Sequence, residues 1–212
     1  PAANIELAEF QGRRGCASLS FVDVDAGEEM IHGNEVLAGM VLGYDRAKKF
    51  HQSDHTLENI QEAIRKLFPD KNSQDEILTV LAGYLVLDGL IGNTDRHHEN
   101  WGIIQSRDAG GNVRHSLAPS FDMASSLARN EPEARCAEWL ADHTRDRAEW
   151  YARRGQTRGG IWLHDTDTHG TNPLDLVAAR SAAEPSLFRP WLERVRGLSG
   201  GCLLYTSPSP RD

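Results

Sequence analysis

The chain has 212 residues, 39% of them hydrophobic, which is enough for one large domain or two small ones with a real core. Its formal net charge of -8 argues against nucleic-acid binding through a broad basic face. Cys16, Cys136 and Cys202 are too few and too scattered for a disulfide framework, so a reducing cytoplasm is the expected location. No apolar run reaches the roughly 18 residues that a membrane-spanning helix needs, and no signal peptide is visible.

The N-terminal stretch predicts a β-hairpin from Ile5 to Val24. NIELAEF and CASLSFVDV alternate apolar and polar residues, and QGRRG between them supplies turn glycines. The following DAGEEMIHG is polar and is expected to be a loop. Glu35 to Leu42 is expected to be a short helix.

Two longer helices are predicted next. SDHTLENIQEAIRKLF places apolar residues at helical spacing, with Ser53 or Asp54 as the expected N-cap. DEILTVLAGYLVLDGLIG is apolar on nearly every side, which is typical of a helix at the centre of a domain, and it ends at Gly92. WGIIQ and VRHSLA around SRDAGGN predict a second hairpin. Further helices are expected in EARCAEWLADHTRDRAEWYARRG, NPLDLVAAR and SLFRPWLERVRGL.

The stretch IGNTDRHHEN, residues 91–100, concentrates acids, histidines and amides directly behind the apolar helix. In the simplest hypothesis these residues cap the helix, because its last carbonyl groups need polar partners and a cation such as Arg96 suits them. A cap explains one or two polar residues but not eight in ten.

A second hypothesis is metal-dependent phosphohydrolysis, with ligands from two stretches of the chain. The candidate ligands are Asp95, His97, His98 and Glu99, joined by His51, Asp54 and His55. Metal-binding histidines on a helix normally stand four residues apart, whereas His97 and His98 are adjacent and would point apart. HDTDTHG, residues 164–170, is also rich in ligand-type residues, but its composition is typical of a turn.

A third hypothesis is phosphoryl transfer. A kinase needs an Asp that orients the attacking hydroxyl and, five residues later, an Asn that holds magnesium, and Asp95 and Asn100 have this spacing. The turn of the second hairpin centres near Gly111, eleven residues after Asn100 and eleven before Asp122. Paired strands would bring Asn100 and Asp122 together as oxygen ligands of a hard cation. Taken alone, Asp122 could instead cap a helix beginning at Met123.

These residues carry a resemblance to a known family. DGLIGNTDRHHENWGII, followed by LAPSFDMASSL, resembles the C-terminal lobe of HipA-like serine/threonine kinases. The DRHxxN pattern is also similar to that of phosphatidylinositol 3- and 4-kinases in the same superfamily. IHGNE and YARRGQTRGG fit the HipA-like side. The resemblance spans roughly residues 4–198, and its specific part is residues 88–127.

The resemblance implies a role for each matching residue. Asp95 would be the catalytic Asp, and Asn100 and Asp122 would hold Mg²⁺. His97 would lie in the catalytic loop and shape it. The fold class that follows is α+β and mostly α, a protein-kinase-like C-terminal lobe with a short N-terminal hairpin.

The first hairpin would, by the same resemblance, be the last strands of the N-lobe leading into the hinge. Phe21 and Val22 would then contact the adenine of ATP through their backbone groups. GRRG is a hairpin turn and not a phosphate-binding loop. The sequence before the expected hinge also contains no strand lysine with a partner glutamate. The chain is therefore expected to be a fragment of a longer kinase, binding ATP weakly and transferring no phosphate by itself.

The expected organisation has three parts. Residues 1–24 would be the remnant of the N-lobe, and residues 25–201 the C-lobe. The C-lobe would contain the catalytic loop at 93–101 and the metal-binding Asp segment at 119–127. Residues 202–212, CLLYTSPSPRD, read like a translated sequencing adapter and are expected to be foreign to the protein.

The expected function of the parent protein is transfer of the γ-phosphoryl group of ATP to a Ser or Thr hydroxyl of a protein, or of itself. The resemblance also suggests a DNA-binding antitoxin as a partner, with no membrane and no direct nucleic-acid contact. Three alternatives stay open: a small-molecule or lipid kinase of the same superfamily, a non-catalytic binding domain on this fold, and, more remotely, a metal-dependent phosphohydrolase.

Overall fold

The computed structural model describes residues 1–129, 131–142, 144 and 158–198. Within these ranges the chain is mixed α and β with more helix than strand, which confirms the predicted fold class. The strands are β1 (Ile5–Phe10), β2 (Arg13–Ser18), β3 (Glu29–His32), β4 (Gly102–Arg107) and β5 (Val113–Leu117). The helices are α1 (Gly33–Met40), α2 (Leu57–Leu67), α3 (Lys71–Ile91), α4 (Glu133–Ala141), α5 (Pro173–Ala183) and α6 (Pro185–Arg196).

The first predicted hairpin is confirmed. β1 and β2 pair antiparallel, and the two residues that connect them, Gln11 and Gly12, both have left-handed backbone angles, with φ of 52° and 73°. A two-residue connection of this kind matches the natural twist of two paired strands. The strands end earlier than expected, at Ser18, and residues 19–24 are irregular.

The stretch expected to be a polar loop contains a strand. β3 pairs antiparallel with β4, and β4 pairs with β5, so the second predicted hairpin becomes a three-stranded sheet. β3 has only four residues at the edge of the sheet, too few for a visible alternation of apolar and polar side chains. Its pairing with β4 is a tertiary interaction, since some seventy residues separate the two strands.

The register of β4 and β5 differs from the expected one by two residues. Ile103 lies opposite Leu117, so the hairpin is centred on Gly110 and not on Gly111. Extended past the last pair, this register places Ser120, and not Asp122, opposite Asn100. Asp122 therefore lies two residues beyond the hairpin symmetry that the sequence suggested.

Helix α2 begins later than predicted. Its N-cap is Thr56, whose side-chain oxygen accepts a hydrogen bond from the backbone N–H of Asn59 at 3.2 Å. The expected caps, Ser53 and Asp54, lie in the preceding turn. Several residues in this stretch are chemically suitable caps, so the backbone path chooses between them.

Helix α3 is the buried centre of the domain, as its apolar sequence predicted. It packs against α2, α5 and α6, and it ends at Gly92, whose φ of 65° is the left-handed conformation that commonly closes a helix. Trp191 of α6 covers Gly83 of α3, and a Cβ atom at Gly83 would lie 2.5 Å from the Trp191 ring. The loop of residues 92–101 therefore begins directly behind the buried centre of the domain.

Some predicted elements fall outside the described residues. Of the long helical stretch from Glu133, α4 accounts for residues 133–141, and most of residues 143–157 are outside the description. The stretch 202–212 is outside it as well. In the part of the chain that the structure describes, no helix is long and apolar enough to cross a membrane.

The contact at Gly83 leads to a stability prediction. Gly83→Ala should lower the free energy of unfolding by about 1–3 kcal/mol, because the added methyl group collides with the Trp191 ring. Gly39→Ala in α1, where a Cβ atom meets no other atom within 4 Å, should instead raise stability by about 0.4–1 kcal/mol. Urea denaturation followed by circular dichroism measures both; a stabilising Gly83→Ala would contradict this packing.

Candidate active site

A buried ion pair forms the base of the candidate site. Asp88 lies in the last turn of α3, and Arg96 lies in the loop that follows it. The Arg96 Nε and Nη2 atoms donate to the two Asp88 carboxylate oxygens at 2.7 and 2.8 Å. Only 4% and 3% of the Arg96 and Asp88 side chains are exposed. Two parallel charge-assisted hydrogen bonds of this kind set the orientation of the guanidinium plane.

The same guanidinium joins two segments that are distant in sequence. Arg96 Nη1 donates to the carbonyl oxygen of Asn100 at 2.7 Å, and Nη2 donates to Ser120 Oγ at 2.9 Å. A longer contact, 3.5 Å, reaches the carbonyl oxygen of Phe121. The loop 92–101 and the segment that leads into Asp122 are therefore held against one side chain.

Asp95 stands at the turn of this loop with its carboxylate half exposed. Its backbone N–H donates to Asn93 Oδ1 at 3.2 Å, and Asn93 in turn donates to Asp88 Oδ1 at 2.8 Å. Ser125 Oγ donates to one carboxylate oxygen, Oδ2, at 3.4 Å. His97 Nε2 is 3.9 Å from the other oxygen, Oδ1, beyond hydrogen-bond distance. Within the described part of the chain, Oδ1 therefore accepts no hydrogen bond.

Asn100 and Asp122 carry oxygen atoms of the kind that magnesium prefers. The Asn100 carbonyl contacts Arg96 directly, and Asp122 follows Phe121, whose carbonyl oxygen is 3.5 Å from Arg96 Nη1. Asn100 is buried, and its Nδ2 donates to the carbonyl oxygen of Asp95 at 2.7 Å. That hydrogen bond commits the amide nitrogen, so the amide oxygen is the atom that would ligate a cation. Asp122 is exposed and has a left-handed φ of 49°, a backbone state that Asp tolerates better than most residues.

The histidines of the motif have separate environments. His97 Nδ1 accepts a hydrogen bond from the Glu99 backbone N–H at 3.2 Å, which is consistent with a loop-shaping role. The Tyr44 hydroxyl lies 2.8 Å from His98 Nδ1. Burial lowers the pKa of His98 below its usual value and raises that of the Tyr44 hydroxyl, so Tyr44 is the donor and His98 the acceptor. His98 therefore links the loop of residues 92–101 to Tyr44 through a buried hydrogen bond.

His55 connects the loop of residues 92–101 to the segment that begins at residue 158. It is fully buried, its Nδ1–H donates to the Gly160 carbonyl oxygen at 2.7 Å, and its Nε2 accepts from Trp101 Nε1 at 3.1 Å. Gly160 lies flat on the loop, since a Cβ atom there would be 2.6 Å from the Arg96 carbonyl carbon and the His97 nitrogen. Burial lowers the pKa of His55 to about 3, so this histidine is neutral at ordinary pH.

The residues expected to contact adenine lie beside the Asp122 segment. The ring of Phe21 packs on that of Phe121, with 5.7 Å between centroids. Val22 forms two hydrogen bonds with the Ser20 hydroxyl, one through its N–H at 3.2 Å and one through its carbonyl at 2.9 Å. A hydrogen bond between adenine and the Val22 backbone would therefore compete with the Ser20 hydroxyl.

The metal-hydrolase alternative requires a cluster of side chains that can bind a metal ion. Among the described residues no three histidine, cysteine or acidic side chains converge as a metal site. Both nitrogens of His55 are used in hydrogen bonds to protein atoms. HDTDTHG is a turn, as predicted, in which Asp167 accepts a hydrogen bond from the His164 backbone N–H at 3.0 Å.

Sequence reasoning missed three residues that build this site, namely Asp88, Ser120 and Ser125, and it considered His55 only as a metal ligand. Asp88 had a signal, because a single acid inside the apolar run LVLDGLIG is costly to bury unless it has a partner. The other contacts had none, since the partners Arg96, Asp95 and Gly160 are distant in sequence.

Comparisons with known proteins show a similarity in sequence family and a similarity in fold. Residues 32–182 match the family model described as HipA-like C-terminal domain. The crystal structure of a Helicobacter pylori proinflammatory kinase, CtkA, is similar in fold, with a TM-score of 0.67 and 19% sequence identity. The similarity covers 92% of this chain but 61% of that chain. No curated protein sequence matches significantly.

The Asp88–Arg96 pair predicts an asymmetric response to substitution. Arg96→Met should lower the free energy of unfolding by about 3–5 kcal/mol, because it leaves a buried carboxylate unpaired. The double variant Asp88→Asn/Arg96→Met should lower the free energy of unfolding by clearly less than the sum of the losses in the two single variants, since neither charge remains.

Urea denaturation of the two single variants and the double variant measures this coupling. Arg114→Met is a matched control, because its ion pair with Asp108 is 3.5 Å long and Arg114 is largely exposed, so a loss below about 1 kcal/mol is expected. Strictly additive losses at Asp88 and Arg96 would contradict the coupling.

The buried neutral His55 predicts a loss of stability in acid. The unfolded chain takes up a proton near the ordinary histidine pKa of 6.5, whereas the folded chain takes it up only near 3. Stability should therefore fall by about 1.4 kcal/mol per pH unit below 6.5 from this residue alone. A His55→Gln variant should show a shallower decline between pH 6.5 and 4 in urea denaturation; parallel curves for both proteins would refute this assignment.

Proposed function

Because this chain belongs to the family of HipA-like C-terminal domains, we propose that it forms the catalytic part of an ATP-dependent kinase. The observation that carries the proposal is the Arg96 junction, which holds the loop of Asp95 and Asn100 against the segment before Asp122. A base for the acceptor and two oxygen ligands for a cation are the groups that phosphoryl transfer requires. The proposed acceptor is a Ser or Thr hydroxyl of a protein, or of the kinase itself.

The proposed reaction assigns one proton-accepting role to the chain. The acceptor oxygen forms a bond to the γ-phosphorus, the bond from that phosphorus to the bridging oxygen breaks, and ADP leaves with the electron pair. The proton of the acceptor hydroxyl goes to the carboxylate of Asp95. Ser125 donates a hydrogen bond to Asp95 Oδ2 and is the positioning residue that turns Oδ1 toward the acceptor.

Asn100 and Asp122 are proposed to hold magnesium through the Asn100 amide oxygen and the Asp122 carboxylate. The ion, when bound, neutralises negative charge on the phosphates. The Asn100 amide is oriented by its hydrogen bond to the Asp95 carbonyl, which also links the proposed metal ligand to the proposed base. Phe21 and Val22 are proposed to lie at the adenine.

Other features of the parent protein are proposals as well. The chain spans 61% of the CtkA chain, so activity is proposed for a protein that also has a phosphate-binding loop and a nucleotide-binding lysine. The 212 residues alone are expected to bind ATP weakly and to transfer no phosphate. A DNA-binding antitoxin and a cytoplasmic location stay predictions of the family resemblance.

A phosphate-transfer assay tests the proposal with the protein expressed from its complete reading frame. Asp95→Ala should reduce incorporation of radiolabelled phosphate from ATP by about 10²–10⁴-fold, because the acceptor loses its base. Asn100→Ala and Asp122→Ala should also lower the rate and raise the Mg²⁺ concentration needed for half-maximal activity. Asp75→Ala, a carboxylate change on the exposed side of α3, is the control and should leave the rate unchanged.

Equal incorporation by the wild-type protein and Asp95→Ala would refute the kinase assignment for this site. Urea denaturation of each variant separates loss of activity from loss of folding.

A further inference from the structure

His55 is a buried side chain to which the proposed reaction gives no role. It lies just before helix α2 and is only 1% exposed. Its two side-chain partners, Trp101 and Gly160, lie 46 and 105 positions further along the chain. A buried imidazole that joins three distant segments in this way can fix their relative positions.

The hydrogen bonds of His55 determine where its proton lies and how its ring is oriented. The Gly160 carbonyl oxygen can only accept, so Nδ1 carries the proton, and Trp101 Nε1 can only donate, so Nε2 supplies a lone pair. The backbone adds a further bond, because the Trp162 N–H donates to the His55 carbonyl oxygen at 3.0 Å. The strap, residues 160–162, is therefore attached to His55 at two points.

The strap lies on the peptide group that follows the proposed base. Gly160 packs flat on the peptide between Arg96 and His97, where there is no room for a Cβ atom. The His97 N–H of this peptide donates to the Asp95 carbonyl oxygen at 2.8 Å. A displacement of Gly160 would therefore be transmitted to the backbone of Asp95.

The other nitrogen of His55 acts at the opposite end of the loop. Trp101 directly follows Asn100 and is 2% exposed. Its carbonyl oxygen accepts a hydrogen bond from the Gly33 N–H at 2.8 Å, and its ring packs so closely on Gly33 that a Cβ atom there would collide with it. Because the Trp101 ring is confined, its hydrogen bond to His55 also restrains the backbone at Asn100.

We propose that His55 is a positioning residue for phosphoryl transfer, with a separate effect at each end of the loop. Through Gly160 it positions Asp95, and through Trp101 it positions Asn100. This inference rests on the proposed function, which makes Asp95 the base and Asn100 a metal ligand. His55 moves no proton in this role, since both of its nitrogens are engaged in hydrogen bonds to protein atoms.

Two substitutions of His55 separate the two bonds. Asparagine places its amide nitrogen near the position of Nδ1, so His55→Asn keeps the donor to Gly160 and loses the acceptor for Trp101. Glutamine places its amide oxygen near the position of Nε2, so His55→Gln keeps the acceptor for Trp101 and loses the donor to Gly160.

The two variants should have different kinetic effects in the protein expressed from its complete reading frame. His55→Gln should lower the maximal rate of phosphate transfer by about 10–100-fold, because the base is misplaced, and leave the Mg²⁺ concentration for half-maximal rate unchanged. His55→Asn should raise that Mg²⁺ concentration by about tenfold and leave the maximal rate at saturating Mg²⁺ close to that of the wild type.

A second variant tests each end without changing His55. Gly160→Ala pushes a methyl group into the peptide after Arg96 and should reproduce the rate loss of His55→Gln. Trp101→Phe removes the indole N–H and should reproduce the higher Mg²⁺ requirement of His55→Asn. The double variant His55→Asn/Trp101→Phe should require no more Mg²⁺ than the His55→Asn variant, because both changes remove the same hydrogen bond.

Gly83→Ala is the matched control for Gly160→Ala. Its methyl group also collides with a neighbour, but that neighbour is the Trp191 ring in the core and not the loop of residues 92–101. Gly83→Ala should therefore lower stability in urea denaturation and leave both the maximal rate and the Mg²⁺ requirement unchanged.

Two measurements do not depend on phosphate transfer. In amide hydrogen exchange of the 212-residue chain, the His97 N–H should exchange faster in His55→Gln and Gly160→Ala, and the Asn100 N–H in His55→Asn and Trp101→Phe. In the complete protein with a non-hydrolysable ATP analogue, Mn²⁺ binding followed by electron paramagnetic resonance should weaken in His55→Asn and Trp101→Phe and stay unchanged in the other two variants.

The outcomes separate this inference from the proposed function. Parallel losses of rate and metal affinity in the two His55 variants, wild-type behaviour of both, or equal effects from Gly83→Ala would overturn the positioning role. No phosphate transfer by the wild-type complete protein, together with the expected exchange pattern, would instead overturn the kinase assignment and keep His55 as the residue that orders the loop.

Discussion

The buried pair of Asp88 and Arg96 is the interaction on which the rest of the candidate site depends. A carboxylate at the end of an apolar helix is costly to bury alone, and the bidentate guanidinium makes that burial tolerable. The remaining guanidinium N–H groups then have to find acceptors, and they find them on Asn100 and Ser120. The requirement to satisfy one buried cation thus joins two loops that carry the proposed chemistry.

The position of Asp95 follows from this junction. Its backbone is hydrogen-bonded to Asn93, which is hydrogen-bonded to Asp88, and to the Asn100 side chain. Gly160 packs closely against the backbone of the next residue, Arg96. The Asp95 carboxylate is half exposed and lines a cleft of about 400 Å³.

Much of the fold was readable from local patterns. Both hairpins, the apolar helix α3 and its end at Gly92 follow from alternation, hydrophobicity and turn glycines. The errors were of another kind. β3 was taken for a loop and the register of β4 and β5 was expected two residues away, because strand pairing depends on partners that a single stretch of sequence does not reveal. Helix α2 is capped by Thr56, and not by Ser53 or Asp54, for a similar reason: the backbone path selects among suitable residues.

By itself, the sequence determined which chemical groups are present and how they are spaced along the chain: Asp95 and Asn100 five residues apart, and Asp122 beyond a hairpin. Spacing of this kind is local, so a loop and a turn preserve it. Only the tertiary structure decided that Arg96 joins these segments, that Ser125 donates a hydrogen bond to Asp95, and that Lys49 and Gln52 line the same cleft as Asp95. These contacts link residues up to about fifty positions apart, and packing around the buried ion pair, not any local preference, brings them together.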